Sequence, residues 1–213
     1  MDDVFTVSHK WLEAFSQEMK ARNISIPFEC ITRAERLNDE VLGMLKQAGC
    51  FRIWIGAESG SQRILDLMKR KVQADNVVEM MNRTKDFGIE TGTFIMVGYP
   101  TETKEDIDQT TEYLKRANPD HFTITIAYPI KGTGLYNQIE SDIIQQPEWS
   151  TSTDREIDFK RTYSREYYDW AVRKIVNEVN YYKQTVGHEK SALKAIKFKT
   201  KSILSGIQMT LKK

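Results

Sequence analysis

Phe51-Arg-Ile-Trp-Ile-Gly-Ala-Glu-Ser-Gly-Ser-Gln-Arg-Ile-Leu-Asp-Leu-Met-Lys-Arg70 decides how the rest of the chain is read. Ile53-Trp54-Ile55 is a short apolar run of β-formers. It breaks at Gly56 and again at Gly60, after which Ile64, Leu65 and Met68 recur at helical spacing. The stretch therefore reads as a strand, a tight turn and a helix. Glu58 falls at the carboxyl end of the strand, ahead of Ser59-Gly60-Ser61. Ser61 is placed to cap the helix, since its hydroxyl can accept a bond from a first-turn amide. A carboxylate at the end of a buried strand is costly unless something there uses it.

On the amino-terminal side, Ser8 caps a helix predicted over 9–21, with Trp11, Leu12 and Phe15 on its inner side. A strand is predicted over 24–31, weakened by Pro27. It runs into Thr32-Arg33-Ala34-Glu35-Arg36, and Asn38 caps a helix over 39–48 that Gly49 ends. On the carboxyl side come a helix over 74–87 stopped by Gly88, a strand over 90–97, and the turn Gly98-Tyr99-Pro100-Thr101-Glu102. Glu102 reads as a helix-start charge. Thr103 and Asp106 open a helix over 104–116 in the manner of a capping box. A strand over 121–127 leads to Tyr128-Pro129-Ile130-Lys131-Gly132-Thr133-Gly134, in which Gly132 to Gly134 reads as a turn.

Strands alternating with amphipathic helices imply parallel pairing and right-handed crossovers. No GxGxxG follows any strand, which disfavours an open dinucleotide-binding sheet. The expected fold class is α/β, a partial (β/α) TIM-like barrel of about four parallel strands, with helices following it. Functional groups of such a barrel collect at the carboxyl ends of the strands. Here those ends carry Asp2 and Asp3, Arg33 and Glu35, Glu58, Gly98 to Glu102, and Tyr128 to Thr133, the pattern of one continuous active face.

The character changes near residue 140. A loop over 145–153, a short irregular piece over 158–163, an aromatic helix over 165–185 capped by Ser164, and a last helix over 189–211 follow. The expected division is a barrel part over 1–139 and a helical extension over 140–213. After Gly187 there are seven lysines against the single Glu189. This reads as the solvated basic face of an amphipathic helix, ahead of a partner or anionic-ligand surface.

The formal net charge of the 213 residues is +1, so nothing in the composition points to nucleic acid. A hydrophobic content of 40% with 29% charged residues fits a globular chain. No apolar run approaches membrane-spanning length, and the acidic start lacks a signal-peptide core. A cytoplasmic location without a membrane partner is expected. Cys30 and Cys50 have no CxxC or CxxxC neighbours and read as reduced, buried thiols. His9, His121 and His188 are scattered, so no metal site is expected from this chain alone.

Three motifs occur in series: Trp54-Ile-Gly-Ala-Glu-Ser-Gly-Ser61, Ile95-Met-Val-Gly-Tyr-Pro-Thr-Glu-Thr103 and Ala127-Tyr-Pro-Ile-Lys-Gly-Thr-Gly-Leu-Tyr136. Asp2-Asp3-Val-Phe-Thr6 and Cys30-Ile-Thr-Arg-Ala-Glu35 precede them. Together they resemble the radical S-adenosylmethionine (radical SAM) superfamily over residues 1 to 137. The likeness is nearest to the branch of Fe–S oxidoreductases and methyltransferase-like enzymes associated with a cobalamin-binding domain. The resemblance implies S-adenosylmethionine at the strand carboxyl ends and a [4Fe–4S] cluster on a CxxxCxxC loop. This sequence has no CxxxCxxC. The cluster ligands and any cobalamin domain are therefore expected upstream. The chain reads as the C-terminal part of a radical-based oxidoreductase or methyltransferase, inactive by itself.

The resemblance also implies roles for individual residues. Asp2 or Asp3 contacts the methionine amino group, and Glu58, with Ser59 beside it, reaches the ribose hydroxyls. Arg70 pairs with the methionine carboxylate through its bidentate fork. Gly98 and Pro100 let the backbone pass close to the adenosyl group, and Tyr128-Pro129 touches adenine. Arg33 and Glu35 face the same mouth. The substrate and any catalytic residue stay unassigned. Two readings compete: a non-radical barrel enzyme using Glu58, Arg33 and Glu35 as acid–base groups, and a non-catalytic interaction module presenting the aromatic and lysine-rich helices. Because so few strands cannot close a barrel, self-association through the open sheet edge is expected.

Overall fold

Pairing of the first strand starts at Phe28 rather than at residue 24, because Pro27 has no N–H to contribute to a ladder; Phe28 N–H donates to the Gly49 carbonyl at 3.3 Å. A computed structural model describes residues 4–145, 148, 153–186 and 190–213. The chain runs α1 (His9–Ala21), β1 (Phe28–Thr32), α2 (Asp39–Gln47), β2 (Cys50–Glu58), α3 (Gln62–Leu67), α4 (Ala74–Asp86), β3 (Glu90–Val97), α5 (Lys104–Ala117) and β4 (His121–Ile126). It continues through α6 (Gly134–Ile139), β5 (Ile143–Gln145), β6 (Asp158–Phe159), α7 (Arg165–Val186) and α8 (Ala192–Leu211). Asp2, Asp3 and most of the loop predicted over 145–153 lie outside the described residues.

The four long strands form one parallel sheet in the order β1-β2-β3-β4. Sequential order has no point where the winding reverses, as a doubly wound sheet must. It is the order of a barrel arc, as the sequence pattern predicts. Period-two alternation divides the sheet into two faces. Ile53, Ile55 and Ala57 of β2 are buried on one face, against α2 and α4, with Val41, Leu42, Leu45, Val77 and Met81 in the same core. Cys30 and Cys50 are free thiols, both buried, with their sulfurs 3.8 Å apart. Their mutual hydrogen bond holds Cys30 above and Cys50 below the usual thiol range.

The opposite face is half-open to solvent. The Trp54 ring stacks on Phe94 with centroids 4.9 Å apart, and its indole N–H donates to Glu29 at 3.1 Å. Arg52 bridges Glu29 and Glu90 across three strands, at 2.9 and 2.7 Å.

The chain divides into two compact units, one comprising the residues up to Ile95 with Asp108–Ile124, the other Met96–Ile107 with Thr125–Lys213. In the first, α1 buries Leu12, whereas Trp11, expected inward, is half-exposed and stacks on Phe15 at 5.1 Å. In the second, two local expectations change. Gly132 to Gly134 is a helix start, since the Thr133 hydroxyl accepts the Tyr136 N–H and caps α6. The piece predicted as irregular contains β6, which pairs antiparallel with β5. The aromatic helix α7 buries Tyr167, Tyr168, Ala171, Ile175 and Val179. Against it α8 buries the small residues Ala195, Ser202 and Ser205, together with Met209.

Candidate functional site

In the first unit, the end of β2 is irregular. The register to β3 shifts between Gly56 and Glu58, and Glu58 takes φ +64°. That left-handed conformation is uncommon for a residue with a side chain. Ser59 N–H then donates back to the Ala57 carbonyl at 2.8 Å. Ser61 occupies the cap position of α3 but makes no side-chain capping bond. The turn is held instead by Ser59, fully buried, whose hydroxyl accepts the Ser61 N–H at 3.1 Å and meets the Thr110 hydroxyl at 3.3 Å. Thr110 also takes the Gly60 N–H at 3.1 Å. A Cβ at Gly60 would lie 2.4 Å from the Tyr113 side chain and 2.6 Å from the Thr110 backbone, so only glycine lets α5 seat on the turn. Burial pushes the Tyr113 phenol up from its usual range.

The Glu58 carboxylate faces Arg70, with Oε1 and Nη2 3.7 Å apart and each side chain about a quarter exposed. Arg70 arrives there because α3 is short: its N–H donates to the Leu65 carbonyl at 2.9 Å. Gln62 ties the loop that follows by donating to the Val72 carbonyl at 3.2 Å and accepting the Ala74 N–H at 3.1 Å. A separation of 3.7 Å is too long for a hydrogen bond. The pair is thus a carboxylate acceptor and a guanidinium donor fork, both half-open and loosely engaged with each other. Such a pair can exchange its mutual contact for a ligand carrying a hydroxyl pair and a carboxylate. Arg33 follows β1 directly and is half-buried. Glu35 shares a different cavity, with Lys71, Gln73, Asn76 and Glu79. Of the acid–base trio weighed from the sequence, Glu35 and Glu58 therefore face different partners.

In the second unit, the turn after β3 is built around Glu102, whose place just ahead of α5 reads in the sequence as a helix-start charge. Glu102 is fully buried and its Oε2 accepts the Gly98 N–H at 2.5 Å. Gly98 has φ +80°, where a side chain would be strained. Thr101 also takes a left-handed φ of +69°, rare for a β-branched residue. Pro100 is half-buried between them. The recoverable signal was spacing: a carboxylate four residues beyond a turn glycine, just before the helix. Asp106 accepts both the N–H and the hydroxyl of Thr103 at 2.8 Å, as expected of a capping box. After β4, Ala127 N–H donates to the Val97 carbonyl at 2.7 Å, and the buried Arg161 guanidinium donates to the Ala127 carbonyl at 2.9 Å. Burial lowers the Arg161 pKa, although Asp158 opposes this. Tyr128 is half-buried beneath the Arg155 guanidinium, 5.7 Å from the ring centre, and Pro129 is buried.

Among the described residues, neither unit offers ligands for an iron–sulfur cluster. The only cysteines, Cys30 and Cys50, are buried against each other on β1 and β2. Among the described residues no group of three or more His, Cys, Asp and Glu side chains could hold a metal ion.

A family model described as the radical SAM superfamily matches residues 7–114, half of the chain. An uncharacterized methyltransferase of Pyrococcus horikoshii is 29% identical over 155 residues, covering 72% of this chain and 34% of its own length. The chain thus spans about a third of that curated relative. Among solved structures, the radical S-adenosylmethionine methyltransferase TsrM of Kitasatospora setae, determined with cobalamin and a [4Fe–4S] cluster bound, is similar with a TM-score of 0.56 at 13% identity. That match covers 62% of this chain and 25% of TsrM. The cobalamin-dependent S-adenosylmethionine radical enzyme OxsB, with aqua-cobalamin and S-adenosylmethionine bound, is similar with a TM-score of 0.57 at 12% identity. It covers 95% of this chain and 36% of its own.

Proposed function

The chain belongs to the radical SAM superfamily, and from that membership we propose that its strand ends bind S-adenosylmethionine for a radical-based methyltransferase or oxidoreductase. The observation that carries the reading is the strained Glu58 at the tip of β2, facing Arg70. The Glu58 carboxylate accepts both ribose hydroxyls, and the Arg70 fork takes the methionine carboxylate. Ser59, buried in its own turn, positions Glu58 rather than touching the ligand. The family resemblance, taken by itself, assigns the adenosyl group to Gly98 and Pro100, adenine to Tyr128 and Pro129, and the mouth of the site to Arg33. Asp2 or Asp3, outside the described residues, takes the amino group.

Family members use S-adenosylmethionine with a [4Fe–4S] cluster, and when bound these supply the radical chemistry. The residues of this chain do not fit the cluster, so the chain by itself is proposed to bind the nucleoside without turning it over. Cobalamin is proposed at the level of a longer protein, on the likeness to TsrM and OxsB. The division into a barrel part over 1–139 and a helical extension over 140–213 is kept as part of this proposal.

The test is calorimetric titration of the chain with S-adenosylmethionine, and with adenosine in parallel. Glu58→Ala is expected to weaken both ligands at least ~10-fold, the scale of a charge-assisted hydrogen bond. Arg70→Ala is expected to weaken S-adenosylmethionine alone, since adenosine has no carboxylate. Unchanged affinities in Glu58→Ala would sink the ribose assignment.

A further inference from the structure

The last helix presents the wrong face to solvent for an ordinary amphipathic element. Its buried side is made of Ala195, Ser202, Ser205 and Met209, against α7. The large aliphatic residues Leu193, Ile196, Ile203, Leu204, Ile207 and Leu211 are 52–82% exposed. At 3.6 residues per turn they fall within one arc of about 100°, running the full length of the helix, about 30 Å. Exposed Lys194, Lys197 and Lys201 line one flank of that arc. Lys199, on the other flank, is engaged by Glu178 at 2.8 Å. No acidic residue occurs in α8.

A continuous apolar stripe of this size marks a contact surface, and its composition selects the partner. Protein interfaces concentrate their energy in aromatic and arginine anchors and are depleted in lysine. This stripe has only leucine and isoleucine, bordered by lysine. A second copy pairing antiparallel through the stripe would set one lysine row beside the other, because a dyad across the helices keeps both rows on the same side. Branched aliphatics with an adjoining lysine row are what an interfacial helix needs: the apolar arc enters the acyl boundary, and the lysine stems run along it to place ammonium groups among phosphates. We propose that α8 docks the protein on an anionic lipid surface, lying in the plane of the interface. No helix among the described residues is long and apolar enough to cross a membrane, so the contact is peripheral.

Flotation of the full chain with vesicles tests this. One set is phosphatidylcholine alone; the other is equimolar phosphatidylcholine and phosphatidylglycerol. Binding is expected on the anionic set only, weakening as salt is raised. Lys194→Gln with Lys197→Gln and Lys201→Gln is expected to lower the partition about a hundredfold, near one tenfold factor or less per charge. Ile196→Glu with Ile207→Glu is expected to abolish it. All five positions are exposed, so thermal midpoints should stay close to that of the unaltered chain. Three results overturn the proposal: no partition onto anionic vesicles by the unaltered chain, equal partition onto both sets, or a dimer in light scattering that Ile196→Glu with Ile207→Glu dissolves. The salt series on the unaltered chain decides the matter even if a variant fails to fold.

Discussion

Glu58 combines a proposed ligand role with a conformational cost. An L-residue held at φ +64° is disfavoured by about 1–2 kcal/mol, and glycine at the same place is not. Glycine also loosens the unfolded chain, which offsets about 0.4–1 kcal/mol of that relief. Alanine keeps the strain and loses the carboxylate. Glu58→Gly is therefore expected to be more stable than Glu58→Ala by about 1 kcal/mol in urea unfolding, while both fail to hold the ribose. A glycine variant less stable than the alanine one would mean that the left-handed backbone costs less than the freedom glycine adds to the unfolded chain. Glu102 is the complementary case, a carboxylate spent on architecture, since it is buried to receive the Gly98 N–H.

At the scale of the elements, the half-open face of the sheet carries a charge ladder that ties β1, β2 and β3 together through Arg52. The Trp54 indole N–H, and after it the Arg52 guanidinium, hold the Glu29 carboxyl below the usual carboxylate range. A carboxylate depressed in the folded state stabilises it above the unfolded-state pKa, and loses that contribution as pH falls through the folded value. Asp39, held down by Arg83 between α2 and α4, acts with the same sign. Stability measured by denaturant unfolding is thus expected to fall as pH drops below about 4.3. In Glu29→Gln that acid limb should be shallower, and an identical limb would show that the ladder contributes nothing to it.

At the scale of the whole molecule, the sheet ends on β1, whose strand partner among the described residues is β2, and the Phe5 N–H donates to its Ile31 carbonyl at 3.0 Å. Ile31 is 44% exposed and lines a cavity with Phe5, Trp54 and Phe94. An edge with open backbone groups and an apolar flank is a template for another chain. Sedimentation velocity is expected to show association that grows with concentration and that Ile31→Lys suppresses, because an inward charge on an edge strand blocks pairing. A chain that stays monomeric at all concentrations would remove the edge from consideration. This association is separable from any contact of α8, which Ile31→Lys leaves untouched.

The sequence by itself determined the alternation of strands and helices, and with it parallel pairing, because apolar period and turn residues are local properties that survive any packing; the sequential strand order came from the tertiary structure. It also placed Glu58 and Arg70 at the end of one strand and the close of the helix after it. It misjudged features that depend on what lies opposite in space. Trp11 follows the apolar period of α1, yet it stays half-exposed. Ser61 has the residue type of a cap, but the Ser59 hydroxyl and Thr110, fifty residues on, hold the turn. Glu102 has the local look of a helix-start charge and is buried instead. The lysine-rich helix does carry a solvated basic face, in Lys194, Lys197 and Lys201. Only the tertiary structure decided that its small residues face α7 and its aliphatics face outward, since periodicity defines the faces of a helix while the partner decides which one is covered.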